Sequence, residues 1–187
     1  MKNRFVDLAL LPVLVSALLY VFGLSYFAGG YGQLGISGLV VYPDFYNILV
    51  NGFYSILGGV MFQTLPSLGL LIGFVFSIYR FINGKLSVFR LSIISLVFTI
   101  GFSLVVHISS ASLANQIETE AKQFLSGEIE NTNYTNRVFL TYSSGKSSSV
   151  SSVDGMLLSS SGDFLIIITV DSTKVIPKKN VTEISLP

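Results

Sequence analysis

Two stretches of this chain are too long and too apolar for an ordinary soluble core. Phe5 to Phe27 carries one charged residue, Asp7, and Leu91 to Ile108 carries none. At a rise of 1.5 Å per residue the first covers about 34 Å as a helix, enough for a hydrocarbon core of about 30 Å. Charged residues make up 11% of the whole chain, against about 25% in soluble domains. Lys2 and Arg4 give the start of the chain the look of a secretory signal. The apolar run is too long for one, however, and Phe27 spoils the small-residue cleavage site that Ala28 and Gly29 would need, so an uncleaved first helix is expected.

Between these runs, Asn47 to Ile82 is apolar over about 36 residues, which would reach about 54 Å as a single helix. Two readings compete. One long helix starts at Pro43-Asp44 and ends near Arg80, with a kink at Pro66; alternatively, two short helices turn at Gln63–Ser67. Basic residues near span ends favour the cytoplasmic side. One long second span puts Arg80, Lys85 and Arg90 on the same side as Lys2 and Arg4 and leaves the Ala28–Asn47 loop, free of Lys and Arg, on the other. The expectation is therefore three transmembrane helices, the second long, with the N-terminus inside. Tyr26, Tyr31, Tyr42, Phe45 and Tyr46 would form an outer aromatic belt, and Tyr79 and Phe81 an inner one.

Three features of this half invite a functional reading. Gly29, Gly30, Tyr31, Gly32, Gly35 and Gly38 form a glycine-rich stretch, read as a partner-binding loop or as a plain turn. Gly69 and Gly73 make a G-x-x-x-G, which lets helices approach closely, within one chain or between two copies. Ser95, Thr99, Ser103 and His107 recur at steps of four on one helical stripe, suited to helix packing or to lining a pore. No Asp, Glu, Lys or Arg falls at mid-depth of any span, where ion-coupled carriers place such groups.

The remainder reads differently. Ser112–Ser126 has helical spacing, with Leu113, Ile117, Ala121, Phe124 and Leu125 on one side and Gly127 as a stop. It continues the third span as a stalk, followed by a polar linker to Asn136. Strands are then predicted at Arg137–Tyr142, at Val150–Ser159 with a bend at Gly155, and at Phe164–Val170, Thr173–Ile176 and Val181–Leu186. The expected core is Val138, Leu140, Val153, Leu158, Leu165, Ile167, Val175 and Ile184. Five short strands, with the one-turn link Pro177–Asn180 before the last, resemble the SH3-like or Sm-like five-stranded barrels in layout over about 50 residues. The domain plan is thus 1–110 transmembrane helical, 111–136 stalk and linker, and 137–187 a small β domain.

Chemistry is sparse. Cysteine is absent, which removes disulfides and cysteine-based metal or redox sites. His107 is the one histidine and has no acidic neighbour in sequence, so neither a metal site nor a base for a serine nucleophile is expected. Gly145-Lys146-Ser147 fails as a phosphate loop, because Leu140 stands where the motif needs glycine. No cofactor and no nucleic acid partner is expected. Asn133-Tyr134-Thr135 and Asn180-Val181-Thr182 match glycosylation acceptors, a pattern common by chance. The expected function is non-enzymatic: an inner-membrane protein of bacterial or phage type acting by protein–protein recognition, as an immunity or exclusion factor or as a small accessory subunit. Its C-terminal domain would lie outside. The alternative is a homo-oligomeric channel with the β domain as its vestibule.

Overall fold

The computed structural model describes residues 3–36, 43–57, 65–130, 132, 136–143, 150–161 and 163–186. Four helices come first: α1 Asn3–Gln33, α2 Phe45–Leu57, α3 Leu65–Ile82 and α4 Val88–Leu125. Five strands follow: β1 Arg137–Ser143, β2 Val150–Ser161, β3 Phe164–Ile168, β4 Thr173–Pro177 and, after a 3-10 turn at Lys178–Asn180, β5 Val181–Ser185. The chain divides into two compact units. One comprises Met1–Gly29 with Phe45–Ala111, and the other Gly30–Asp44 with Ser112–Pro187.

In the first unit the contacts fix the direction of each helix. Phe22 of α1 meets Phe98 and Phe102 of α4, with ring centroids 5.9 and 4.6 Å apart. Further along both helices, the Ser110 hydroxyl donates to the Tyr26 carbonyl at 2.5 Å. Rising numbers pair with rising numbers, so α1 and α4 are parallel. Leu70 of α3 lies 3.5 Å from where a side chain on Gly101 would sit, and Phe74 stacks on Phe98 at 4.2 Å, so α3 is antiparallel to α4. In α2, Ile48 lies against Gly23 and Gly52 lies against Leu19, so α2 is antiparallel to α1. The core consists of Phe22, Phe74, Phe98, Phe102 and Val106, against which Leu18 of α1, Ile56 of α2 and Leu71 and Ile78 of α3 pack.

This arrangement corrects both readings of the second span. A continuous helix would hold Ile48 and Phe74 about 39 Å apart. Instead Ile48 touches Gly23, while Phe74 stacks on a ring that touches Phe22. The two helices lie at the same depth along α1 and α4, side by side rather than end to end. They also run in the same direction, so they are not the antiparallel pair that a turn at Gln63–Ser67 would make. Residues 58–64, between them, lie outside the described residues.

Among the described residues, two helices are long and apolar enough to cross a membrane: Pro12–Gln33 of α1 and Phe89–Leu125 of α4. Helix α4 is the unbroken continuation into the stalk that the sequence predicts. Ser87 opens it by accepting from the Arg90 amide at 3.4 Å. Gly127, at φ 80°, closes it, with the Glu128 amide donating back to the Gln123 carbonyl at 2.9 Å.

The second unit holds a five-stranded antiparallel sheet in the order β4-β3-β2-β1-β5. Its strands lie close to the predicted segments. One face buries Val138, Leu140, Val153, Leu165, Ile167 and Ile176. Met156 and Ile168 form a second cluster with Ala121, against which Ile117, Phe124, Leu125 and Leu158 pack. The stretch read as a stalk packs on the sheet as a lid, which explains why Phe-Leu-Ile-Ile-Ile can be buried almost throughout.

Three members of the expected core are displaced. Ile176 is buried where Val175 was expected, because Ile176 shares the face of Leu165 and Ile167 and joins their cluster. A register shift between Leu157 and Ser159 turns Leu158 toward the helix cluster. Ile184 pairs with Leu140 yet is 52% exposed, because β5 is an edge strand. Gly155 permits a close crossing: a side chain there would meet Ile167 and the Ile168 carbonyl at 2.5 Å. Among the described residues β4 and β5 remain the two edges of the sheet, and a closed barrel is not seen.

Candidate functional site

The glycine-rich stretch is not the loop expected from its composition. Helix α1 runs through Gln33, so Gly29, Gly30, Tyr31 and Gly32 are helical. Gly29 is buried beneath the His107 carbonyl, with no room for a β-carbon, and Tyr31 is also buried. The turn comes later, at Gly35 with φ 68°, where the Ile36 amide donates to the Tyr31 carbonyl at 2.8 Å. Gly38 lies outside the described residues.

Gly69 and Gly73 are also placed differently from an internal packing motif. A side chain at either would meet nothing within 4 Å. They line an open groove of about 720 Å³ between α3 and α4, with Phe74, Ser77, Ile93 and Val97 among its walls. The Ser77 hydroxyl is spent on the Gly73 carbonyl at 2.8 Å, so it presents the groove with no free donor. The close-approach glycines lie elsewhere, at Gly23 and Gly52, where α1 and α2 cross in backbone contact. Sequence reasoning missed these two because neither lies in a paired motif within its own helix. Their partnership exists only across the α1–α2 crossing.

The stripe on α4 is divided. The Thr99 hydroxyl bonds the Ser95 carbonyl at 2.7 Å, a local bond within the helix. The Ser103 hydroxyl is buried and has no hydrogen-bond partner among the described residues. His107 is exposed. A second polar row, on α2, escaped the sequence reading: Asn51 donates to the Asn47 carbonyl at 2.9 Å and Ser55 to the Asn51 carbonyl at 2.7 Å.

On the sheet, Arg137 grips Asp154 with two bonds, at 3.1 and 2.7 Å, and its guanidinium lies 5.5 Å from the centre of the Phe139 ring. The hydrogen bond to Asp154 holds the Arg137 pKa above its ordinary value. Beside this pair, Phe139 of β1 is 42% exposed, and the open β5 edge exposes Ile184 (52%) and, just beyond the strand, Leu186 (75%) among the polar Thr182, Glu183 and Ser185. No cluster of three or more His, Cys, Asp or Glu able to hold a metal occurs among the described residues. Comparison with protein-family models, curated proteins and solved structures finds no match to this chain.

Proposed function

We propose that this is an integral membrane protein that works by recognising another protein through the open β5 edge of its sheet. The observation that carries the reading is the exposure of Ile184 on edge strand β5, and of Leu186 just beyond it, where Glu183 is the one charged residue and no Lys, Arg or Pro occurs from Val181 to Ser185. Natural edge strands are usually blunted by such residues. By contrast β4, the other edge, carries Lys174 and Pro177. An open edge offers backbone groups and alternate side chains to an extended segment of a partner.

Membrane integration is supported by the outer surface of the first unit. Val97, Ile100, Leu104 and Ile108 of α4, and Ile72, Val75 and Phe76 of α3, are exposed. Only 22% and 17% of the apolar 18-residue segment within each of the two long helices is buried, unlike the core helices of a soluble fold. In this reading α1, α3 and α4 cross, and the N-terminus shares the cytoplasmic face with Arg80, Lys85 and Arg90. The C-terminal sheet lies outside, in a bacterial inner membrane. No chemical step is assigned to the protein.

A photo-crosslinking residue at Ile184, with Asp171 as control, tests the proposal in intact cells. A discrete adduct to a different protein at Ile184 alone supports it, and no adduct at Ile184 refutes it. One observation favours the homo-oligomeric alternative: the uncovered Gly69–Gly73 face leaves room for a second copy. An adduct to the chain itself, together with ion conductance in bilayers, would select that reading.

A further inference from the structure

We infer that the groove between α3 and α4 holds one acyl chain of an anionic phospholipid, whose phosphate is held by Arg80, Lys85 and Arg90 at the mouth of the groove. The inference rests on the membrane reading above. The groove follows α3 from Gly69 to Ser77, with Ile93 and Val97 of α4 as its facing wall. That length of helix covers about 12 Å. One leaflet's acyl layer is about 15 Å deep, half of a hydrocarbon core of about 30 Å. The volume of about 720 Å³ falls within the range of about 300–1,000 Å³ typical of small-molecule sites. The lining asks an alkyl chain to desolvate nothing polar. Gly69 and Gly73 face open space, and the Ser77 hydroxyl donates to the Gly73 carbonyl.

Charge decides which occupant fits. At 3.6 residues per turn, Arg80 falls within the arc of α3 spanned by Gly69, Gly73 and Ser77, and Arg90 within the arc of α4 spanned by Ile93, Ile94 and Val97. The two helices are antiparallel, so both arginines stand at the same end of the groove. The turn between the helices keeps Lys85 there too: Gly84, at φ 69°, lets the Lys85 amide donate back to the Arg80 carbonyl at 2.9 Å. All three basic side chains are exposed, and no Asp or Glu occurs from Phe45 to Ile117 to neutralise them. Basic pockets between membrane helices bind anionic headgroups. A second copy inserted the same way up would bring its own Arg80, Lys85 and Arg90 to the same depth, and like charges would repel. An anionic headgroup neutralises this cluster instead of doubling it.

Native mass spectrometry of the full-length protein, in detergent with equal amounts of phosphatidylglycerol and phosphatidylcholine, tests the site. One phosphatidylglycerol should be retained per chain in preference to phosphatidylcholine. Arg80→Gln and Arg90→Gln, both at exposed positions, should each weaken that retention about fivefold. Gly69→Leu and Gly73→Leu should fill the groove and abolish it, while Val75→Leu, exposed on α3 but outside the groove lining, should change nothing. Circular dichroism checks that each variant folds. Equal retention of the two lipids, or a preference that survives a folded leucine variant, overturns the inference. So does a dimer that Gly73→Leu disrupts, which would give the groove to a second copy. If neither leucine variant folds, Val97→Trp in this tryptophan-free chain decides. Brominated phosphatidylglycerol in vesicles should quench its fluorescence more than brominated phosphatidylcholine does, and equal quenching overturns the inference. Carbonate extraction separates the two readings: a protein washed from membranes sinks the membrane reading and the lipid site with it, whereas a retained protein without lipid preference sinks the site alone.

Discussion

Gly23 and Gly52 form a reciprocal crossing. A β-carbon on Gly23 would fall on the carbonyl of Ile48, and one on Gly52 would fall on the carbonyl of Leu19. The backbones of α1 and α2 thus touch directly. Such contact gathers many small dispersion gains and needs no polar group.

Gly23→Leu and Gly52→Leu should therefore each cost at least about 1–3 kcal/mol, the range for overpacking a tight site. Gly69→Ala, whose new methyl group meets nothing, should be neutral or stabilise its helix by up to about 1 kcal/mol. Thermal unfolding of the detergent-solubilised protein checks both. Equal losses at all three positions would mean that the crossing has no special role.

Polar contacts between α1 and α4 should be separable from those within α4. Ser110→Ala removes a bond between helices, to the Tyr26 carbonyl, and should cost about 1 kcal/mol. Ser103→Ala removes a buried hydroxyl without a partner among the described residues and should be neutral or stabilising. Thr99→Ala loses only a bond to its own helix. Unfolding midpoints in detergent give the order, and a Ser103→Ala loss as large as that of Ser110→Ala would contradict it.

In the sheet, burial should decide the outcome of adding a charge. Ile167 is 0% exposed and Ala121 1%. Ile167→Asp should remove the sheet, and Ala121→Asp should detach the helix from it, since an unpaired buried carboxylate costs several kcal/mol. Ile184→Asp, at a half-exposed edge, should leave the fold intact and, under the proposed function, abolish the crosslink. Circular dichroism and limited proteolysis distinguish these outcomes.

The Arg137–Asp154 pair should matter little for stability and add no dependence on pH in the alkaline range. A pKa raised on folding gives a contribution that is present below the unfolded value and lost as pH rises through the folded one. For Arg137 the hydrogen bond to Asp154 moves the folded value upward from one already beyond the alkaline range in question. Stability should accordingly show no arginine-linked change between pH 7 and about 10. Arg137→Ala should cost no more than about 1 kcal/mol, as for exposed ion pairs, and a larger loss would assign the Phe139 contact a greater part.

Orientation can be read by labelling intact cells with an impermeant thiol reagent. Ser172→Cys, on the sheet unit, should react, and Ser87→Cys, beside the basic cluster, should not. The reverse pattern would invert the proposed topology.

The sequence by itself determined the character of each segment. Apolar length fixed α1 and α4 as helices able to cross a membrane, and the stop at Gly127 is local backbone chemistry. The five strands and the link at Lys178–Asn180 were legible from β-branched runs and turn residues, because these signals act within a few neighbours. Tertiary structure alone decided which faces met. Whether a glycine bears a neighbouring backbone, as Gly23 and Gly52 do, or faces open space, as Gly69 and Gly73 do, depends on another helix far along the chain. The same holds for α2 and α3: composition read them as one apolar segment, and docking on α1 and α4 set them side by side. Ile184 looked like a core residue by alternation and is exposed because its strand has a neighbour on one side only. Local pattern records which surface prefers to avoid water; it does not record what arrives to cover it.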